Sequence, residues 1–164
     1  MCEWQIVWKE FQVTTVFRLR VSLVGSSGLY RILDVASDAT FQDLHDAIFY
    51  AFDRYDPHLY SFYMTGTDTK DKRRIRRAPE ISAPEAGPGG GVLGFTNPGR
   101  SAKKVRIGDV ELEEGDVFHY LFDYGDEWWH RVLVEAVMET DAAKKSVVIV
   151  KSVGASPAQY PDFD

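Results

Sequence analysis

An α+β domain, with one main helix and many strands, is what this sequence predicts, and three observations predict it. Strict alternation runs through Val16 to Leu23, a single amphipathic stripe follows Thr40, and the chain from Val105 onward is rich in β-branched and aromatic residues. A chain of 164 residues with 45% apolar content can bury one real core, so 1–164 is read as a single domain.

In "VFRLRVSL" (16–23), Phe17, Leu19, Val21 and Leu23 fall on one side and Val16, Arg18, Arg20 and Ser22 on the other, the pattern of a half-buried strand. "GSSG" at 25–28 is turn chemistry and "LYRILDV" at 29–35 alternates again, so the two runs predict a hairpin. A further strand is expected upstream in "WQIVWKEFQV" (4–13). Thr40 and Asp43 fit a capping box, in which the hydroxyl takes an orphan N–H of the first turn. The spacing of Phe41, Leu44, Ile48, Ala51 and Phe52 then predicts a helix over about 41–52, with His45 at the border of its apolar stripe as a packed or capping residue. "HLYSFYMTG" (58–66) reads as the next strand.

From Gly66 to Lys104 periodicity fades, and six of the thirteen glycines and four of the seven prolines lie between Pro79 and Gly99. This stretch reads as a long insertion loop, across which the flanking strands must pair. "GPGGGVLGF" (87–95) lacks the Gly-Lys-Ser/Thr ending of a phosphate loop and reads as linker. From Val105 strands are expected, with Glu113 and Glu114 as turn residues. Val147 to Val150 is apolar enough for a central strand, and the tail from Ala155 carries no pattern.

The net charge is −6 and the pI about 5.2, so the molecule as a whole repels a phosphate backbone. The exception is "KDKRRIRR" (70–77), where Lys70, Lys72, Arg73, Arg74, Arg76 and Arg77 oppose one acid and leave the remainder at −11. These six could bind nucleic acid without sequence preference; the favoured reading is a solvated loop whose charges keep the insertion soluble or dock on the protein's own acidic face. Cys2 is the one cysteine, so an intramolecular disulfide and a two-pair cysteine zinc cluster are both excluded. Without a leader-like start or an apolar run approaching roughly 18 residues, a cytoplasmic location and no membrane partner are expected. No cofactor is expected.

The densest chemistry lies in "FDYGDEWWH" (122–130). A tight hairpin about Gly125-Asp126, with Gly125 at positive φ, would pair Asp123 with Trp128, Leu121 with His130 and His119 with Val132. His119, Leu121, Asp123, Trp128, His130 and Val132 would then share one face, while Phe118, Tyr120, Phe122, Trp129, Arg131 and Leu133 form a core face. In one reading this is structural: Asp123 or Asp126 braces the turn, Trp128 covers the core edge and His130 is an ordinary strand residue. In the other, His58, His119, Asp123, Asp126, Trp128 and His130 make a pocket for a peptide, protein segment or small ligand. A metal-dependent hydrolase using His58, His119, Asp123 and His130 is the enzymatic alternative to a non-enzymatic binding module. Nucleophilic catalysis lacks support, since Cys2 is terminal and no serine sits in a strand-turn-helix elbow.

"LHDAIFYAFDRYDPHLYSFYMTG" followed, after an insertion, by "GDVFHYLFDYGDEWWHRVLVE" resembles the plasmid pRiA4b ORF-3-like family over roughly residues 14–137. The marks are Leu44-His45, His58-Leu59 before Phe62, and Tyr120 through Asp126 with Trp128. The resemblance implies an α+β domain with a strongly curved, partly barrel-like mixed or antiparallel sheet and one main helix packed on it. It implies no activity. The C-terminus departs from the family, where a Pro-Pro-Glu-Asp segment is usual and "VGASPAQYPDFD" stands here.

Overall fold

The computed structural model describes residues 12–86, 100–141 and 146–162. Alternation in the first run produces strand β1 (Val13–Leu23), which turns through Gly25 and Gly28, both at positive φ, into β2 (Tyr30–Ala36). Leu19 lies opposite Leu33, so their aliphatic side chains are directly across from one another and both are fully buried. The expected strand over 4–13 falls, except for its last two residues, outside the described residues.

Helix α1 (Phe41–Ala51) starts where the capping box predicts: Thr40 Oγ1 accepts from Asp43 N at 3.1 Å and Asp43 Oδ2 accepts from Thr40 N at 2.8 Å. Phe41, Leu44 and Ile48 point into the core, and Phe52 caps the helix, also buried. Thr40→Ala is expected to lower stability by about 1 kcal/mol, read from urea unfolding, because it orphans a first-turn donor. An unchanged midpoint would mean that the box contributes nothing.

The sheet continues with β3 (Tyr60–Tyr63), β4 (Glu80–Ser82), β5 (Arg100–Ser101), β6 (Val117–Phe122), β7 (Trp128–Asp141) and β8 (Val147–Val153). Its order is β5-β4-β3-β6-β7-β1-β2-β8, antiparallel throughout except for the β4–β5 pair. The strands flanking the insertion do pair, β3 with β6. Helix α1 lies between the two ends of the sheet. It packs on β8, while its first turn donates from Phe41 N to Val105 O and from Gln42 N to Ala102 O beside β5. Among the described residues the sheet therefore bends around the helix but stays open, with β5 and β8 as its edges, and the barrel-like closure is not present.

Several expectations need correction. Among the described residues the run Val147–Val150 forms an edge strand, because β8 pairs only with β2 there and leaves Val148 and Val150 exposed. Residues 105–116 are not strand: a short 3-10 turn at Ile107–Asp109 and loops occupy them, and the strand begins only at Val117. The basic octet is not a bare loop. Lys72–Arg76 forms helix α2, N-capped by Asp71 and anchored by buried Ile75, and β4 follows it. The linker at 87–95 lies outside the described residues. No helix among the described residues is long and apolar enough to cross a membrane.

The inner face of the sheet carries the main core, with Phe62, Phe118, Tyr120 and Val132 packed against α1. The outer face carries a smaller cluster of Tyr63, Ile75, Leu121 and Trp129.

Candidate functional site

The register of the β6–β7 hairpin decides where the chemistry goes. Phe122 lies opposite Trp128 and Tyr120 opposite His130, one residue away from the expected pairing. The connection is a five-residue loop, Asp123 to Glu127, in which those two residues, not Gly125, take positive φ (61° and 53°). Asp123 Oδ1 accepts from Gly125 N at 2.9 Å and Asp126 N at 3.3 Å, and Glu127 N donates to Asp123 O at 2.7 Å. The side-chain brace makes the left-handed backbone tolerable for an aspartate. An odd loop count inverts β7 relative to the expectation.

The expected common face is therefore split. His130, Trp128 and Val132 turn inward beside Tyr120 and Phe122, whereas His119 turns outward with Trp129 and Arg131. His130 is 1% exposed, its ring 5.1 Å from Tyr120 and 4.8 Å from Phe52. Its Nδ1–H donates to Trp128 O at 3.0 Å, and buried Nε2 has no partner among the described residues. Burial pushes His130 down to about 3, so it is neutral at physiological pH. Trp128 packs on the core edge, with the Arg54 guanidinium 4.0 Å from its ring centre. The quartet of His58, His119, Asp123 and His130 is not assembled. His119 is on the far side of the sheet, and no group of three potential metal ligands converges among the described residues.

His58 and Asp123 do meet. His58 Nε2 stands 3.5 Å from Asp123 Oδ2 and from Asp56 Oδ2, and 2.7 Å from the Tyr160 hydroxyl. That hydroxyl gives its proton to Asp56 at 2.6 Å, so its oxygen accepts from His58 Nε2–H. The carboxylate beside it raises Tyr160 to about 12. The patternless tail is thus a built element. Gln159 is buried, accepts from the backbone N–H groups of Tyr55 and Asp56 and donates to Asp56 O, while Ser156 bonds Phe52 O. Asp126 is exposed in the loop.

Next to His58 opens a cavity of about 570 Å³ between α1, the segment before β3 and Glu85. Its walls include Gln42, His45, Asp46, His58, Tyr60 and Glu85, and no lysine or arginine among the described residues lines it. His45 stacks flat on Tyr60, centroids 3.5 Å apart, and its Nδ1 is 2.7 Å from the Tyr120 hydroxyl. Burial takes His45 down to about 3, leaving it neutral. Burial, with Asp46 and Glu85 nearby, holds the Tyr60 phenol well above its ordinary value. Burial and the Asp43 charge raise the Asp46 carboxyl. The Tyr60 hydroxyl and Gln42 Oε1 are shielded from solvent and have no hydrogen-bond partner among the described residues. Tyr60, Glu85 and Gln42 were invisible as site residues in the sequence. Gln42 falls outside the apolar stripe of α1, and Glu85 lies in the stretch that reads as an insertion loop.

The basic residues divide. Lys72 pairs with Glu127 at 3.1 Å, Arg76 also bonds Glu127, and both cations lie over the Trp129 ring. Lys70, Arg73, Arg74 and Arg77 are exposed.

Fold and site together define an α+β domain with one open, eight-stranded, mostly antiparallel sheet wrapped on a helix and a polar cavity at the helix–sheet junction. The chain belongs to the plasmid pRiA4b ORF-3-like protein family, whose sequence profile matches residues 15–160 and so includes the tail. Its fold is similar to the crystal structure of a protein of unknown function, MM3350 from Methanosarcina mazei Go1, with a TM-score of 0.67 and 24% identity over 89% of this chain and 73% of that one. No curated protein matches the chain. His45 and His58, far apart in sequence, both line this cavity, and each touches the β6–β7 hairpin region, His45 at the Tyr120 hydroxyl and His58 beside Asp123.

Proposed function

We propose that this chain is a non-enzymatic binding module whose cavity beside His45 and His58 receives a cationic group, the guanidinium or ammonium of a peptide side chain or small ligand. The observation that carries this reading is negative charge without a cation among the described residues. Asp46 and Glu85 line a cavity with no cationic side chain among the described residues, next to the Tyr60 hydroxyl and Gln42 Oε1, which have no partner among those residues. A cation brings opposite charge to the two carboxylates and N–H donors to the Gln42 and Tyr60 oxygens. The flat Tyr60–His45 stack adds an aromatic wall. A volume of about 570 Å³ accommodates one long side chain or a small molecule.

Calorimetric titration with N-acetyl-arginine amide, against the uncharged N-acetyl-citrulline amide, tests the reading. The arginine compound is expected to bind at least tenfold more tightly, and Asp46→Asn with Glu85→Gln to erase that preference while the melting temperature holds. Equal binding of both compounds, or a preference that survives the double substitution, would overturn it.

A further inference from the structure

The outer face of the sheet holds a second cleft, of about 410 Å³, that the proposed function leaves unused. Its floor is Trp129 and Ile75, both buried members of the outer cluster. One wall is the β1–β2 turn. Val24 there is 55% exposed and is fixed in place by its N–H, which donates to Trp129 O at 2.9 Å. An aliphatic side chain left this open beside an indole presents apolar area to water, which a ligand's hydrocarbon would cover.

The polar groups around this floor are unequal. Arg131 is held by two bonds of 2.9 Å to Asp68, so that pair is neutral as a unit. His119 is buried, 3.1 Å from Thr65 Oγ1, and burial lowers its affinity for a proton. Lys70 and Lys72 remain at the rim, Lys72 shared with Glu127 and Lys70 forming no ion pair among the described residues. The cleft is therefore apolar at its base and positive at its mouth, on a molecule that is otherwise acidic.

We propose that this outer cleft is a site for a small amphipathic anion, an alkyl or aryl carboxylate whose body rests on Trp129 and Val24 and whose head lies at Lys70. A nucleic acid would need phosphate contacts along a track, whereas the apolar floor and the volume suit one compact ligand.

The test uses the full chain and 8-anilinonaphthalene-1-sulfonate as a fluorescent probe. Saturable binding at one site is expected, with displacement by octanoate at least tenfold more effective than by octanol. Val24→Asp and Lys70→Glu, both at exposed positions, should each weaken probe and octanoate tenfold or more without shifting the melting temperature. Asp46→Asn with Glu85→Gln should leave this binding unchanged, which separates it from the inner cavity. Absence of saturable binding, equal displacement by octanol, or full affinity in both outer-cleft variants would overturn the proposal.

Discussion

Taking the chain from pH 7 to pH 5 is expected to remove roughly 4 kcal/mol of stability, about 2 kcal/mol from each of two buried histidines. His45 and His130 both fall from an ordinary 6.5 to about 3 through burial. The unfolded chain binds protons at these sites below about 6.5, and the folded chain does not until about 3. Their stabilising contribution is therefore complete above pH 6.5 and is lost as the pH falls between those two values. His119 shifts in the same direction, whereas Asp46, with its raised carboxyl, opposes the trend. His130→Leu should remove close to half of the acid sensitivity. At pH 7 it should be nearly neutral, since it also deletes a buried Nε2 that has no partner. Urea unfolding at pH 7, 6 and 5 measures this, and a flat profile would mean that both rings reach solvent.

Phe62→Ala is the second large effect, an expected loss of about 3–5 kcal/mol in urea unfolding. Phe62 is fully buried, with ring centroids 5.1 Å from Phe41, 4.7 Å from Tyr120 and 6.3 Å from Phe118. It joins helix α1 to β3 and β6, and so holds together the elements that frame the inner cavity. Against a typical total of about 5–15 kcal/mol, the variant would populate unfolded chain near physiological temperature. Phe62→Leu should cost much less, because most of the volume is retained. A loss under about 1 kcal/mol for the alanine variant would place this ring outside the core.

What could be read from the sequence follows from how local the cause is. The α1 start was legible because Thr40 and Asp43 sit three residues apart and bond each other directly. The β1–β2 hairpin and the inward face of β6 were legible from alternation alone. The β6–β7 register was not, because a loop of five residues needs Asp123 and Glu127 both in the left-handed region, which few non-glycine residues adopt without a brace. That single residue of offset moved His130 inward and left His119 outside. An Asx brace by Asp123 was among the expected possibilities, but its effect on loop length was not.

Helix α2 was hidden for a different reason. Its one apolar residue, Ile75, carries no periodicity, and the helix is secured by contacts with Trp129 and Glu127 more than fifty positions away. The tail was hidden because Gln159 works through backbone groups of Tyr55 and Asp56, which leave no mark in composition. The acidic lining of the inner cavity, Asp46 from α1 and Glu85 from the insertion, exists only once the chain has folded.

The sorting of chemistry between two faces rests on the β6–β7 pairing, and cross-strand nuclear Overhauser contacts measure that pairing directly. Contacts that pair Tyr120 with His130 and Phe122 with Trp128 are predicted. Contacts that pair Leu121 with His130 and Asp123 with Trp128 would contradict the register and return both histidines to a single face.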